Sequence, residues 1–371
     1  MLKVLHVCET IKGGIATYLA TFDALCHDTV ASRFVVPSDH ADQMPPDSDL
    51  VLYERKKRGA KAVWNLARTT RRAVLEFAPD VLVFHSTFSL GAMALLRASR
   101  LPGAYVYIPH GWARLRYTEA PSKARLVSLI ERQLSGFSDL VLNISKNDKA
   151  LAEAHRYRGR HIVVENALPD LARASERSPF EKVPGRMDLL FVGRFDRQKG
   201  LDILLEAFPP AQALNPAMHL NIVGASVLGE SGGTASDHPA ITFHSWVPPE
   251  RIADYYAHAD MLVMPSRWEG LPMVLIEALR AGTPVMLSDA SGMGELINHN
   301  KAARPAGIAV PPESKAFESA LAALSSEQLV EMRLAARELF ETRYGPKRFQ
   351  AETLAALNSA MLRARNEKKN V

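Results

Sequence analysis

Short apolar runs rich in Val, Ile and Leu alternate with longer helical patterns along the whole 371-residue chain. That alternation dictates βαβ units and therefore parallel sheets. A first set of strands reads KVLHV, SRFVV, DVLVFH, AYVYIPH, DLVLNIS and HIVVE. A second set starts afresh with DLLFVGR and continues through HLNIVG, ITFHSW, DMLVMPS, TPVMLSD and GIAVP. Between the sets, LPDLARASERSPFEKVPGRM is polar, proline-bearing and aperiodic, the mark of a linker. A chain of this length is better divided over two cores than gathered into one. The expected architecture is α/β: two Rossmann-like doubly wound domains, residues 1–168 and 187–345, joined by a linker at 169–186. Facing each other, they would set a central cleft at the carboxyl ends of both sheets. The tail divides into two helices near Gly345-Pro346, and the second, 346–371, is expected to return to the amino-terminal domain.

Composition narrows the function. With 47% hydrophobic and 23% charged residues the chain is globular. The most apolar stretch, DVLVFHSTFSLGAMALL, is broken by Asp80, His85, Ser86 and Thr87, too short and too polar to cross a bilayer. The two cysteines, Cys8 and Cys26, offer neither a disulfide framework nor metal-ligand spacing, which points to a reducing cytoplasm. The opening residues MLKVLHVCE already read as a strand and leave no room for a signal peptide. The net charge of +5 is unevenly spread: residues 1–175 carry 24 Lys and Arg against 17 Asp and Glu, and the remainder 21 against 23. A basic amino half calls for an anionic partner. No basic-aromatic nucleic-acid motif is present, so membrane phosphates rank above nucleic acid. On a helical wheel of the segment from Lys61 to Phe77, Lys61, Arg68 and Arg72 share a face with Trp64, opposite Val63, Leu66, Val74 and Phe77. Arg114, Arg116, Lys123 and Arg125 form a second basic stretch. Such faces suit anionic headgroups as well as plain solvent.

The chemistry concentrates in the second set. In FVGRFDRQKGLDILLEAF, Gly193 turns the chain at a strand end, and Arg194 and Lys199 follow in one loop before a helix. Two cations beside a helix amino terminus make an anion site, and a diphosphate suits it: Arg grips in bidentate fashion while Lys supplies a point charge. In PSRWEGLPMVLIEAL, Glu269 and Glu277 flank a strand-to-helix handover; Pro272 suits the first helical turn and sets Glu277 about one turn inside. Neither carboxylate should face phosphate, and both are good acceptors for hydroxyls. Cations on a diphosphate with acids on the hydroxyls at either side match a nucleotide sugar.

These stretches resemble the retaining glycosyltransferases of the GT-B fold, specifically the large family 4, whose E-x7-E hallmark is matched by Glu269 and Glu277. The resemblance extends to ETIKGGIATYL (Gly13 and Gly14), YIPHGW (His110), VVENALPD, FHSWVPPERIADYYAHADMLVMPS with Val247 in the base-binding segment, and SDASGMGELI with Glu295. It implies an amino-terminal acceptor-binding domain and a carboxy-terminal nucleotide-sugar-binding domain. It further implies that Arg194 and Lys199 bind the donor diphosphate, Glu277 the ribose, and Glu269 the donor sugar. The backbone of the loop from Gly270 through Leu271 and Pro272 to Met273 would help hold sugar and phosphate, His110 would reach the sugar, and Gly13-Gly14 would let backbone approach phosphate and acceptor. Three positions depart from the pattern: Ala167 after Asn166, Ser245, and Ala16.

The implied activity is retaining transfer of a hexose from a UDP- or GDP-sugar to a glycan or lipid-linked glycan, as in lipopolysaccharide synthesis, with no metal or other cofactor. Asp47-Ser48-Asp49 satisfies the D-x-D metal pattern but follows Pro45-Pro46 away from the donor motifs, and reads as a turn. Competing readings are a nucleotide-sugar epimerase of the same fold and a non-catalytic nucleotide-sugar-binding protein. A dehydrogenase is opposed by GGIATY, which lacks the full G-x-G-x-x-G fingerprint.

Overall fold

The structure, a computed structural model, describes residues 1–55, 57–170, 175, 177–181, 183–225, 237–244, 247–297 and 304–369. The chain forms two compact units, Met1–Pro169 with Pro346–Val371, and Asp170–Gly345.

The first unit runs β1 (Leu2–Cys8), α1 (Gly14–Cys26), β2 (Val30–Pro37), β3 (Leu50–Tyr53), α2 (Ala60–Phe77), β4 (Val81–His85), α3 (Ser89–Ala98), β5 (Ala104–Ile108), α4 (Pro121–Leu134), β6 (Leu140–Asn143), α5 (Lys146–Ala154) and β7 (His161–Val163). Its seven strands are all parallel, in the order β3-β2-β1-β4-β5-β6-β7. Helices cover both faces, so the central strands are apolar on both sides; β4 and β5 are buried along their whole length.

The second unit runs β8 (Met187–Val192), α6 (Leu201–Leu214), β9 (Met218–Val223), β10 (Ile241–His244), α7 (Pro249–His258), β11 (Met261–Met264), α8 (Met273–Arg280), β12 (Val285–Ser288), β13 (Gly307–Val310), α9 (Ser314–Ala322) and α10 (Ser326–Leu339). Its six parallel strands take the order β10-β9-β8-β11-β12-β13. Phe191, Ile222, Val263 and Met286 from the sheet meet Leu204, Phe208, Phe317 and Leu321 from α6 and α9 in one core. After α10 the chain passes through one π-helical turn, Phe340–Tyr344, and enters α11 (Pro346–Lys369).

Every strand expected from sequence is found, and β3 is added. ITFHSW ends as a described strand at His244, because Ser245 and Trp246 lie outside the described residues. β3 went unread because it is a four-residue edge strand with Leu52 turned to solvent. The Pro45–Ser48 turn, closed by the Ser48 N–H on the Pro45 carbonyl, leads into it. Asp47 and Asp49 therefore stand at the amino end of β3, at the sheet edge opposite the strand carboxyl ends, and Asp49 is held by Arg33 at 2.7 Å.

In both sheets the strand order reverses beside the first strand: β1 neighbours β4, and β8 neighbours β11. Connections leave these pairs toward opposite faces, which opens a crevice at the carboxyl ends. In the second unit the β8–α6 loop is pressed against the end of β11. At Gly200, where φ is +67°, a Cβ would stand 2.1 Å from the Pro265 carbonyl oxygen. Gly200→Ala meets a backbone cost of about 1–2 kcal/mol from the left-handed conformation before any clash is counted. Its thermal unfolding midpoint should fall clearly below that of the parent.

Candidate functional site

The two loops that leave β8 and β11 bring four expected residues to the reversal point of the second sheet. Arg194 lies just after β8 on the first loop, and Lys199 is the penultimate residue before α6. A side chain at Gly193 would press on the Lys199 stem, whose Cγ lies 3.3 Å from the position of a Cβ there. Glu269 lies on the second loop, and Glu277 is the fifth residue of α8. Pro272 caps α8 instead of occupying its first turn, and Glu277 falls one turn in, as the sequence reading requires. Gly270 is half-buried, and Leu271, Pro272 and Met273 are buried where loop becomes helix.

One pairing was not read from the sequence: Lys199 Nζ donates to Glu269 Oε1 at 2.7 Å. The reason is burial. Lys199 and Glu269 are both largely withdrawn from water, and an unpaired charge there is costly. Ser266 Oγ also donates to Glu269 Oε1 (3.1 Å), and Gln198 Nε2 donates to Oε2 (3.2 Å) and to the Trp268 carbonyl. Arg194 is more exposed; it pairs with Asp196 at 3.0 Å and donates to Gln198 Oε1. Glu277 accepts a 2.7 Å hydrogen bond from the Tyr256 hydroxyl of α7. Burial pushes the Glu277 carboxyl above its ordinary range, while Tyr256, Arg280 and Lys199 pull it back. Lys199 thus acts electrostatically on both acids.

Sequence reasoning missed the residues that hold these in place. Arg267 grips Asp202 of α6 with both terminal nitrogens, at 2.8 and 2.7 Å, and donates to the Arg197 carbonyl. The Arg267 backbone N–H donates to the Gln198 carbonyl. It ties the two loops together and holds the Asp202 carboxyl below its ordinary range. Tyr256 lies in a stretch already matched by resemblance, but no local spacing signals its partner 21 residues away. Val247 is half-buried in the segment before α7, Glu295 lies in a 3-10 turn, and Ser245 is outside the described residues.

Gly13, Gly14 and His110 belong to the first unit, at the carboxyl ends of β1 and β5. Gly13 caps α1 at φ +69°, Gly14 opens the helix, and both are exposed. Tyr18 of α1 packs edge-on against His110, ring centroids 5.0 Å apart. His110 adopts φ +53° and is followed by Gly111 at +88°; such backbone strain clusters at functional sites. Beside them Glu9 is buried against Arg55 (2.6 Å) and Arg58 (3.1 Å), a pairing not foreseen. Among the described residues no three His, Cys, Asp or Glu side chains are placed to hold a metal, and no helix is long and apolar enough to cross a membrane.

The chain is similar to known proteins in sequence and in fold. Residues 186–327 match the family model "Glycosyl transferases group 1", and residues 13–167 match "Glycosyl transferase 4-like domain". A 41.2 kDa uncharacterized protein of the cps region of Klebsiella pneumoniae is 26% identical over 80% of this chain and 84% of its own. The O-antigen biosynthesis glycosyltransferase WbnH of Escherichia coli is 31% identical over 53% of this chain and 54% of its own. Among solved structures, HepE of Anabaena in complex with UDP superposes with a TM-score of 0.73 at 15% identity, covering 96% of this chain and all of that one. Sucrose-phosphate synthase of Thermosynechococcus elongatus gives 0.69 at 17% identity, over 100% and 99%. With both halves matched and the fold shared, the chain belongs to the group 1 glycosyltransferases of the GT-B fold.

Proposed function

We propose that this glycosyltransferase moves a hexose from a UDP- or GDP-sugar to a glycan or lipid-linked glycan, with retention at the anomeric carbon and without a metal. The observation that carries the reading is the meeting of Arg194, Lys199, Glu269 and Glu277 at the reversal point of one sheet. Arg194 and Lys199 supply the charge a departing diphosphate needs, and Glu277 offers its carboxylate to ribose hydroxyls. Glu269, locked by Lys199, Ser266 and Gln198, keeps a fixed negative edge for the transferred sugar and its incipient positive charge. Gly13, Gly14 and His110 are assigned to contact with the sugar and acceptor. In a front-face displacement the acceptor oxygen bonds to the anomeric carbon as the carbon–phosphate oxygen bond breaks. The acceptor proton passes to the departing phosphate oxygen, so positioning and charge stabilisation carry catalysis. A cytoplasmic role in surface polysaccharide synthesis accords with the relatives of the cps region and O-antigen biosynthesis.

Calorimetry with UDP, GDP and ADP should single out one base; UDP is the first choice, since HepE was solved with it. Arg194→Ala and Lys199→Ala should each weaken that nucleotide by about 1.5–3 kcal/mol, the worth of a charge-assisted hydrogen bond. Glu277→Gln should weaken nucleotide and nucleotide sugar alike. Glu269→Gln frees Lys199, so the bare diphosphate should bind at least as tightly while the sugar conjugate loses affinity.

Turnover with a matched acceptor should survive excess EDTA, and proton NMR of the product should show the donor's anomeric configuration. Donor alone should yield no new nucleotide sugar, the product an epimerase would make.

An anionic membrane is the proposed surface partner. Lys61, Trp64, Arg68, Arg71, Arg72 and Leu75 are exposed within about 100° of the α2 circumference, Trp64 by 62% and Leu75 by 66%. On α4, which packs beside α3 as α3 does beside α2, Leu126, Leu129 and Ile130 are exposed on the arc of the helix circumference between Arg125 and Lys123. Apolar side chains ringed by cations suit insertion among anionic headgroups. Sedimentation with phosphatidylglycerol vesicles should exceed that with phosphatidylcholine, fall with salt, and vanish on reversal of Lys61, Arg68 and Arg72 to Glu. Equal sedimentation with both vesicles would leave these faces to solvent.

A further inference from the structure

Behind His110 runs a chain of histidines. His85 Nδ1 lies 2.9 Å from His110 Nε2, and His6 Nδ1 lies 3.0 Å from His85 Nε2. The rings stack in series, each centroid 5.2 Å from the next. His6 is on β1, His85 ends β4 and His110 follows β5, so three neighbouring strands build the chain. Phe22, Phe34 and Tyr18 pack against these rings, and His6 and His85 are fully buried. At one end, His6 Nε2 is buried without a hydrogen-bond partner. At the other, His110 is half-buried and its Nδ1 has no partner among the described residues.

A neutral imidazole has one N–H and one lone pair. Two short N···N contacts in series therefore permit two consistent proton arrangements: every ring protonated on Nδ1, or every ring protonated on Nε2. A mixed arrangement sets two protons or two lone pairs against each other in one of the gaps. The orphaned end decides between the two. With every proton on Nε2, His6 would bury an N–H among phenylalanine rings with nothing to accept it. With every proton on Nδ1, only a lone pair is left bare. Orphaned N–H groups are much the rarer in folded proteins. Burial, with the His110 imidazole, pushes His6 to about 3, burial alone pushes His110 to about 3, and burial with the imidazoles of His110 and His6 holds His85 well below its ordinary value, so the chain stays uncharged near neutrality.

We propose that His6 and His85 are positioning residues that lock His110 as a neutral Nδ1–H donor. His110 then presents a hydrogen-bond donor to an oxygen acceptor, and no free lone pair to act as a base. If the glycosyl transfer proposed above holds, that acceptor is a hydroxyl of the transferred sugar, and the proton of the attacking hydroxyl does not pass to His110 Nδ1. The free neutral histidine side chain in water favours Nε2–H, so the lock runs against the intrinsic preference.

The test is the tautomer itself, read on the free full-length protein. Long-range nitrogen–proton NMR of 15N-histidine protein at pH 7, with His110 assigned by its loss in His110→Asn, should show a protonated Nδ1 and a bare Nε2 on His110. A bare Nδ1 on His110 overturns the proposal, whatever reaction the enzyme performs. His85→Asp replaces the donor facing His110 by an acceptor and should move the His110 proton to Nε2. Turnover should then fall roughly threefold to tenfold, the effect of one neutral hydrogen bond, with nucleoside diphosphate affinity unchanged. An unmoved tautomer in a folded His85→Asp protein would remove His85 from the positioning role. Where that variant does not fold, the parent spectrum decides alone.

Discussion

The candidate donor site depends on a reversal of direction within a single sheet. β8 and β11 are hydrogen-bonded neighbours, Met261 against Leu189 and Leu262 against Leu190, although more than sixty residues of chain separate them. Their following helices, α6 and α8, begin after loops that leave the same edge and part toward opposite faces. Two such departures leave a crevice at the carboxyl ends, the place where ligands bind in open α/β sheets. Parallel pairing in turn requires a sheet buried on both faces, and the Val, Leu, Ile and Met content of the second set of strands meets that requirement.

Charge at this point is arranged in pairs before any ligand arrives. Lys199 meets Glu269, Arg194 meets Asp196, and Arg267 meets Asp202. The first pair sits in the driest surroundings and its geometry is accordingly the most constrained, with Ser266 and Gln198 adding donors to the same carboxylate. A lysine pre-set by a carboxylate keeps two further protons for an incoming oxygen, and little reorganisation is left for the moment of reaction. Arg267 contributes differently, by fastening one loop to the backbone of the other.

The strands were legible because apolar runs of four to eight residues between helical patterns have few other uses. β3 escaped because an edge strand is half wetted and Leu50–Tyr53 is too short to show a period. Arg194, Lys199, Glu269 and Glu277 were singled out because they sit at strand-to-helix handovers, and the adjacency of β8 and β11 brings all four to the reversal point of one sheet. The partners they choose were not legible. Lys199 and Glu269 are seventy residues apart, and only the adjacency of β8 and β11 joins them. His6 and His85 were silent for the same reason: buried histidines in apolar strands look like core until the neighbouring strand is known.

The position of α11 bears on how the molecule is made. This last helix lies against β4, β5 and α1, where Phe349 meets Tyr18, Arg348 donates to the carbonyls of Glu165 and Asn166, and Arg160 donates to Ser359. A ribosome therefore delivers the whole of the second unit before it delivers the helix that finishes the first. Until then one face of the amino-terminal sheet keeps apolar surface open to solvent. Of these two units the one begun earlier closes later, and apolar surface left open in such an interval favours aggregation.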